Sequence, residues 1–334
     1  MNIWIVIIIV LVTGIGFLAF YLIKTQFALG KEDSLAGLIK NGKLQKAVSS
    51  ARSIIEKDDR NAEARYYLGL AYFLQNRRDL AYREYKIVNQ IGISGKLIPE
   101  EEFRTVMAQL YAENNESQEA LKEYVLLIKL NPKKGDYYCE AGKLFVGENR
   151  PDLAEQYLKR ASDLSPRDSR FHFELGNHYY RLKKAKEART ELETAVKCDP
   201  NNAQACFALG RLQKDTKDYA GALGSFEKAA REGDFKIRAL TERGNCYLAM
   251  RSPDRAAPEL ERAVQNITDE SQGDSLYARY FLGLCYEEKE EPEKAVVQFN
   301  KIYGIKKNFR DVGEKLTRYQ YLMGPNANES KKRT

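Results

Sequence analysis

Residues 169–202 read SRFHFELGNHYYRLKKAKEARTELETAVKCDPNN, and their pattern of apolar and small residues predicts the fold. In its first half, apolar residues such as Phe173 and Tyr179 recur at the spacings of three, four and seven that are typical of an amphipathic helix. The same spacing returns in the second half, after two adjacent lysines. Pro200 ends the second helix, because proline cannot continue a helix and restricts the residue before it. The stretch therefore predicts two helices joined by a short turn.

The chain repeats this pattern with a step of 34 residues. Gly176 and Ala188 are expected where the two helices of a unit cross, since close approach leaves no room for a larger side chain there. Three independent classes of position sharing one period indicate an internal repeat. The classes are the prolines Pro132, Pro166 and Pro200; the alanines Ala120, Ala154, Ala188 and Ala222; and the small residues Ala108, Gly142, Gly176, Gly210 and Gly244.

These residues resemble the tetratricopeptide repeat family, whose units carry an apolar-Gly pair and a tyrosine, then Ala, an aromatic residue or Leu, Ala and Pro. The first clear unit reads Leu68-Gly69, Tyr72, Ala81 and Tyr85. Seven clear units start near positions 62, 101, 135, 169, 203, 237 and 276, and residues 28–61 resemble a degenerate first one.

The resemblance implies an all-α fold, a right-handed superhelical solenoid of antiparallel helix pairs. We expect this solenoid to span residues 34–307. Residues 308–324 are predicted to form a capping helix, because an open repeat end would expose its apolar face. The polar residues 325–334 are predicted to be a disordered tail.

One transmembrane helix is predicted to precede the solenoid, over residues 1–23, which contain no charged side chain. A helix of this length spans roughly 35 Å, enough for a hydrocarbon layer of ~30 Å. A cleaved secretory signal would need a basic residue before a shorter apolar stretch, so an uncleaved anchor is favoured. Residues 24–33 then form a juxtamembrane linker. With this anchor, the chain resembles membrane-anchored bacterial proteins of the same repeat family.

The orientation of the anchor follows from the charges beside it. Lys24, Lys31, Lys40 and Lys43 lie on its C-terminal side, and no Lys or Arg precedes it. The positive-inside rule therefore favours a single-pass protein of the inner (plasma) membrane with the repeats in the cytoplasm. The alternative is a periplasmic orientation.

Composition and motifs point away from catalysis, cofactors and metals. A net charge of +7 from 54 basic and 47 acidic residues is too mild for a nucleic-acid partner. The five cysteines are widely spaced without a C-x-x-C motif, so neither a disulfide framework nor a zinc site is expected. His172 and His178 lie on different faces of one helix. Nucleotide-binding, zinc-protease and serine-hydrolase motifs are absent, and we expect no enzyme activity.

The resemblance implies that the concave wall of the solenoid binds proteins. The second, fifth, ninth and twelfth positions of each unit are expected to face this groove. Lys, Arg and Asn on such a wall can hold a carboxylate by charge-assisted hydrogen bonds, which predicts an acidic or C-terminal peptide as the ligand. In the middle units the groove residues are Lys143, Arg170, Asn177, Arg211, Lys214, Arg238 and Asn245.

The flanking units carry apolar inner positions instead, with Tyr66 in the unit at 62 and Tyr277 and Tyr280 in the unit at 276. Such walls suit a partner helix laid into the groove. The equally weighted alternative is that helices of the chain itself pack there.

Three functions fit these expectations. The first is a membrane-tethered scaffold that binds peptides or helices of partner proteins to assemble an envelope complex. The second is a membrane-anchored co-chaperone or regulator of proteolysis. The third is a periplasmic structural subunit of an envelope or flagellar-motor assembly. Homo-oligomers are compatible with each of them.

Overall fold

The computed structural model of this protein describes residues 34–93 and 98–323, and all regular secondary structure in these ranges is helical. The predicted membrane helix, the linker at 24–33 and the tail at 325–334 lie outside the described residues. The chain divides into two compact units, unit 1 over residues 1–144 and unit 2 over residues 145–334.

The described part of the chain contains seventeen helices. Unit 1 holds α1 (Leu35–Lys40), α2 (Leu44–Lys57), α3 (Ala62–Leu74), α4 (Arg78–Ile91), α5 (Glu100–Glu113), α6 (Ser117–Leu130) and most of α7 (Gly135–Gly147). Unit 2 holds α8 (Pro151–Leu164), α9 (Ser169–Arg181), α10 (Ala185–Cys198), α11 (Ala203–Asp215), α12 (Tyr219–Ala229), α13 (Gly233–Ala249), α14 (Pro253–Gln265), α15 (Gly273–Glu288), α16 (Pro292–Ile305) and α17 (Val312–Met323).

Within each unit, helices pack as hairpins, and seven hairpin turns between helices contain one residue other than glycine with a left-handed backbone. In the hairpin α11–α12, for example, the Asp218 backbone N–H donates to the Gln213 carbonyl at 2.8 Å across the turn. Asparagine tolerates this conformation better than most residues, and it fills the position in three of the seven turns. The turn residues, with φ between 56° and 63°, are Asn76, Asn115, Asn149, Lys183, Lys217, Arg251 and Glu290.

The prolines of the repeat follow the second helices as the sequence predicts. Helices α6, α8 and α10 end at Leu130, Leu164 and Cys198, in each case two residues before a proline. The next first helix then begins with a polar cap; the Asn202 side chain, for instance, accepts a hydrogen bond from the Ala205 backbone N–H at 3.0 Å.

The small residues lie at the helix crossings, which confirms their predicted steric role. A Cβ atom placed on Gly176 would lie 2.8 Å from Leu192 Cγ, and one on Gly210 would lie 2.7 Å from Phe226 Cε1. Ala188 is completely buried on the opposing helix. The two helices of each pair therefore approach more closely than an additional methyl group allows.

Each unit has its own hydrophobic core between the packed helices. In unit 1, Tyr85 stacks on Phe103 with ring centroids 5.1 Å apart, beside the buried Tyr66. In unit 2, a core around Phe299 continues into the segment after the last pair, where Val312 is fully buried. The first helices α9, α11, α13 and α15 contact one another in chain order. Their faces opposite the crossings form a common wall.

Candidate functional site

A cleft of about 420 Å³ lies on this wall in unit 2. Helices α9, α11, α13 and α15 line it, together with the turn before α17. We call it the unit 2 cleft. Four of its lining side chains are basic: Arg211, Lys214, Arg238 and Arg310. Four are aromatic: Tyr180, Phe207, Tyr277 and Phe281.

Helical spacing brings these side chains to one face. On α13, Arg238, Thr241 and Asn245 are three and then four residues apart, so they point the same way. On α15, Tyr277 and Phe281 are four residues apart. The sequence thus places the crossing glycines on one side of each first helix and the cleft residues on another.

In the middle of the cleft, carboxylates of the chain neutralise two of the basic side chains. Lys214 Nζ lies 2.6 Å from Glu242 Oε2, and the Asn245 side-chain amide donates to the same oxygen at 3.4 Å. Arg238 Nε lies 3.4 Å from Asp274 Oδ2. Burial raises the pKa of the Asp274 carboxyl, and the charge of Arg238 opposes this shift. Two basic side chains of the cleft are therefore occupied by carboxylates from the neighbouring first helix.

The α9 end of the cleft carries Arg211, whose contacts are with a tyrosine. Arg211 Nη2 lies 3.4 Å from the Tyr180 hydroxyl, and its guanidinium lies 5.3 Å from the centre of that ring. The Tyr180 hydroxyl donates to Asp215, and burial together with this bond raises the pKa of Tyr180. Among the described residues, Arg211 makes no ion pair with a carboxylate.

The α15 end carries Arg310, in the turn before α17. Its guanidinium lies 5.1 Å from the ring centre of Tyr277 and 4.9 Å from that of Tyr280, distances typical of a cation–π contact. Within the described ranges it pairs with no carboxylate either. The aromatic rings fix the position of this arginine while its charge stays exposed to the cleft.

Five of the predicted groove residues line the unit 2 cleft: Arg211, Lys214, Arg238, Asn245 and Tyr277. Asn177 is half-buried on α9 outside the lining.

Two further predicted groove residues lie outside the unit 2 cleft, and each pairs with an acidic residue close to it in the sequence. Arg170 contacts Asp168 at 2.6 Å, near the start of its own helix. Lys143 belongs to unit 1, where its Nζ lies 2.9 Å from Glu140 Oε1 on the preceding helical turn.

Two predicted partner-binding residues, Tyr66 and Tyr280, have side chains that lie in the core and not on the open wall. Tyr66 is 1% exposed, and its hydroxyl donates to Glu102 Oε2 at 3.3 Å. Tyr280 is 6% exposed, and its hydroxyl donates to Asp311 Oδ1 at 2.8 Å. In both cases the following segment of the chain covers the ring, so the alternative of packing within the chain holds here. Tyr277 remains 42% exposed.

The prediction does not include eight other residues that line the cleft, among them Phe207, Asp215, Glu242 and Arg310. Phe207 occupies a fifth position of its unit, so the positional rule already included it. Glu242 and Asp215 each come directly after an inner position in the sequence. A positional rule that also included the next residue would have found them. Arg310 lies outside the repeats, and no repeat-based rule reaches it.

No group of three or more His, Cys, Asp and Glu side chains suited to a metal ion occurs in residues 34–93 and 98–323. All five cysteines are free thiols. In these same ranges no helix is both long and apolar enough to cross a membrane.

The sequence profile of the family described as "Tetratricopeptide repeat" matches residues 37–87, 139–203, 175–237, 207–275 and 241–307, more than half of the chain. The chain belongs to the tetratricopeptide repeat family. The fold of this family is a scaffold suited to protein–protein interaction. Members of the family are generally non-enzymatic.

Known relatives are distant. Anaphase-promoting complex subunit 3 of Schizosaccharomyces pombe is 21% identical over 176 residues; these are 53% of this chain and 26% of the relative, so the chain spans only about a quarter of that protein. Among solved structures, the APC/C hetero-tetramer Cut9–Hcn1 has a TM-score of 0.54 at 16% identity, covering 86% of this chain and 56% of the other. The structure of PilF from Pseudomonas aeruginosa has a TM-score of 0.54 at 16% identity, covering 66% and 96%. These likenesses show the fold.

Proposed function

We propose that this protein is a membrane-tethered scaffold whose unit 2 cleft holds an extended acidic segment of a partner protein. Residues 1–23 serve as the tether, and the groove residues Arg211, Lys214, Arg238, Asn245 and Tyr277 contribute to binding. The scaffold assembles an envelope-associated complex by keeping its partner at the membrane.

One observation carries this proposal: Arg211 and Arg310 face the cleft with tyrosines as neighbours, and in the part of the chain that the structure describes neither forms an ion pair with a carboxylate. A guanidinium forms two parallel hydrogen bonds with a carboxylate, and such charge-assisted bonds are stronger than neutral ones. The adjacent rings of Phe207 and Phe281 offer apolar surface to the rest of the segment. Acidic peptides match this combination, whereas basic peptides would be repelled.

The test is the binding of fluorescein-labelled acidic peptides, measured by fluorescence anisotropy, against versions in which every glutamate is glutamine. We expect the acidic set to bind more tightly, with affinity that falls as salt rises. Arg211→Glu and Arg310→Glu should each weaken binding by tenfold or more, which corresponds to about 1.4 kcal/mol. Arg160→Glu is the matched control, because Arg160 is exposed on the second helix α8, outside the cleft. Equal binding of the acidic and amide sets would refute the proposal.

The proposed tether is tested separately from the cleft. Removal of residues 1–23 should release the chain from the membrane fraction, and a reporter fused after Thr334 should be active on the cytoplasmic side. Activity of that reporter only in the periplasm would reverse the proposed orientation without affecting the cleft.

A further inference from the structure

Arg211 and Arg310, which form no ion pair within residues 34–93 and 98–323, lie at opposite ends of the unit 2 cleft. Arg211 is on α11 and reaches toward α9 through Tyr180, whereas Arg310 lies over rings of α15. Because α9, α11, α13 and α15 contact one another in chain order, α13 lies between the two arginines. Two sites for negative charge are therefore separated along one wall.

The region between them disfavours a third negative charge. Glu242 and Asp274 already hold Lys214 and Arg238 there. A ligand carboxylate in this region would meet both acidic groups, and like charges at such short range repel. The half-buried ring of Phe207, whose centre lies 5.2 Å from the Arg238 guanidinium, lines this region and offers apolar contact at its edge.

Helix packing sets the distance between the two ends. Neighbouring packed helices lie 8–10 Å apart, so two steps from α11 to α15, with the added reach to Arg310 beyond α15, amount to roughly 20–25 Å. An extended peptide advances about 3.3 Å per residue. The span thus corresponds to about six to eight residues of extended peptide.

We propose that the cleft recognises two acidic side chains, six to eight residues apart in one extended segment, with apolar residues between them. Arg211 binds one acidic group and Arg310 binds the other. This inference rests on the proposed function and adds the spacing that the partner must have. The two acidic residues must differ in position by an even number, since only alternate side chains of an extended segment face the same wall.

The turn before α17 takes on a binding role in this arrangement. The Tyr280 hydroxyl donates to Asp311 at 2.8 Å, and Phe309 is buried, so the backbone is fixed on both sides of Arg310. Arg310 itself has φ of +47°, a left-handed conformation that is uncommon for a residue with a side chain. The segment after the last repeat thereby completes a site that the repeats alone leave half-formed.

Two nine-residue peptides test the spacing. The wide peptide has glutamate at both ends, leucine at the third, fifth and seventh positions and serine elsewhere. The narrow peptide has the same composition with its two glutamates two residues apart at one end. Both are fluorescein-labelled and amidated, and binding to the full chain is measured by fluorescence anisotropy. We expect the wide peptide to bind at least tenfold more tightly.

Substitutions then assign the ends. In a double-mutant cycle, Arg211→Gln should couple to one terminal glutamate of the wide peptide and Arg310→Gln to the other, while Arg160→Gln should couple to neither. Arg310→Lys, which keeps the charge, should retain most of the affinity that Arg310→Gln loses. Circular dichroism and urea midpoints identify any variant that has lost its fold.

The outcomes separate the two proposals. If the narrow peptide binds as tightly as the wide one, and both bind better than their glutamine versions, the spacing is wrong and the acidic-peptide function stands. If neither peptide binds better than its glutamine version, both proposals are overturned. Coupling of both arginines to the same glutamate would also refute the two-ended arrangement.

Discussion

Replacing Gly210 with alanine tests whether the helix crossings hold this fold together. Gly210 lies on α11 directly against Phe226 of α12. An added Cβ would lie 2.7, 2.8 and 3.0 Å from three carbon atoms of that ring. Carbon atoms prefer a separation of about 3.5–4.0 Å, so the ring or the helix must move by roughly 1 Å.

The expected loss of stability follows from two opposing contributions. Overfilling a packed core typically costs ~1–3 kcal/mol. Alanine regains up to ~1 kcal/mol through its higher helix propensity. Phe226 is fully buried and packs against Phe207 with ring centroids 5.4 Å apart, so the ring has little room to rotate. The difference of these contributions is about 0–2 kcal/mol, and the confined ring favours a net destabilisation near the upper end of that range.

The matched control is Gly224 in the same hairpin. It is exposed on α12, and a Cβ there meets nothing within 4 Å. Gly224→Ala should stabilise the chain by ~0.5–1 kcal/mol, because only the backbone entropy and helix propensity change. Urea denaturation followed by circular dichroism measures both variants. If the two substitutions shift the midpoint in the same direction, the steric explanation of the repeat is refuted.

Three further predictions concern other parts of unit 2. Lys217 has φ of +63° in its hairpin turn. Lys217→Gly should therefore raise the free energy of unfolding by about 0.5 kcal/mol, whereas Lys217→Ala should leave it nearly unchanged; urea denaturation measures both. Arg279 is buried and donates to Glu270 at 2.7 Å, which holds the pKa of Glu270 below its ordinary value of 4.5. The stabilisation from this pair is complete above that value and is lost as pH falls through the lowered pKa, so Glu270→Gln should destabilise at pH 7 and progressively less as pH falls below 4.5, measured by urea denaturation across this pH range. Burial raises the pKa of the Cys246 thiol to about 12, so alkylation of the native chain at pH 8, followed by mass spectrometry, should modify the half-buried Cys198 well before Cys246.

The sequence predicts the helices well because the repeat requires a small residue at each crossing. At Gly176 the requirement is steric and local, and a 34-residue period exposes it without any knowledge of the rest of the structure. The prolines act similarly, since Pro132 and Pro200 end helices through the backbone alone. Features fixed by one residue and its backbone are therefore readable from the chain.

The burial of the inner aromatic residues depends on a different kind of information. Tyr66 occupies an inner position, yet Phe103 and Tyr85 enclose its ring. Tyr280 is enclosed by Phe309, which comes after the repeats. A position within the repeat indicates which face of the helix a residue occupies. It does not indicate whether a large side chain of the next segment covers that residue. Exposure at these positions could not be predicted without the neighbouring segment.

The charges of the cleft required the three-dimensional structure for the same reason. Lys214 and Arg211 stand three residues apart on one helix and look equivalent in the sequence. Lys214 is neutralised by Glu242 from the next repeat, whereas Arg211 contacts Tyr180 and makes no ion pair among the described residues. Because screening between exposed charges is strong and a pair matters only at short range, the identity of the neighbour decides which cation attracts a ligand.

This pattern of compensation makes the cleft selective in a way that its composition does not suggest. Four cations in a row would attract any polyanion, and binding would depend mainly on total charge. Neutralising the two central ones, through Glu242 and Asp274, leaves charge only at Arg211 and Arg310. A partner with acidic residues throughout then meets repulsion in the middle, whereas one with acidic residues only at the correct interval does not. Specificity of this kind arises as much from the carboxylates that exclude ligands as from the arginines that bind them.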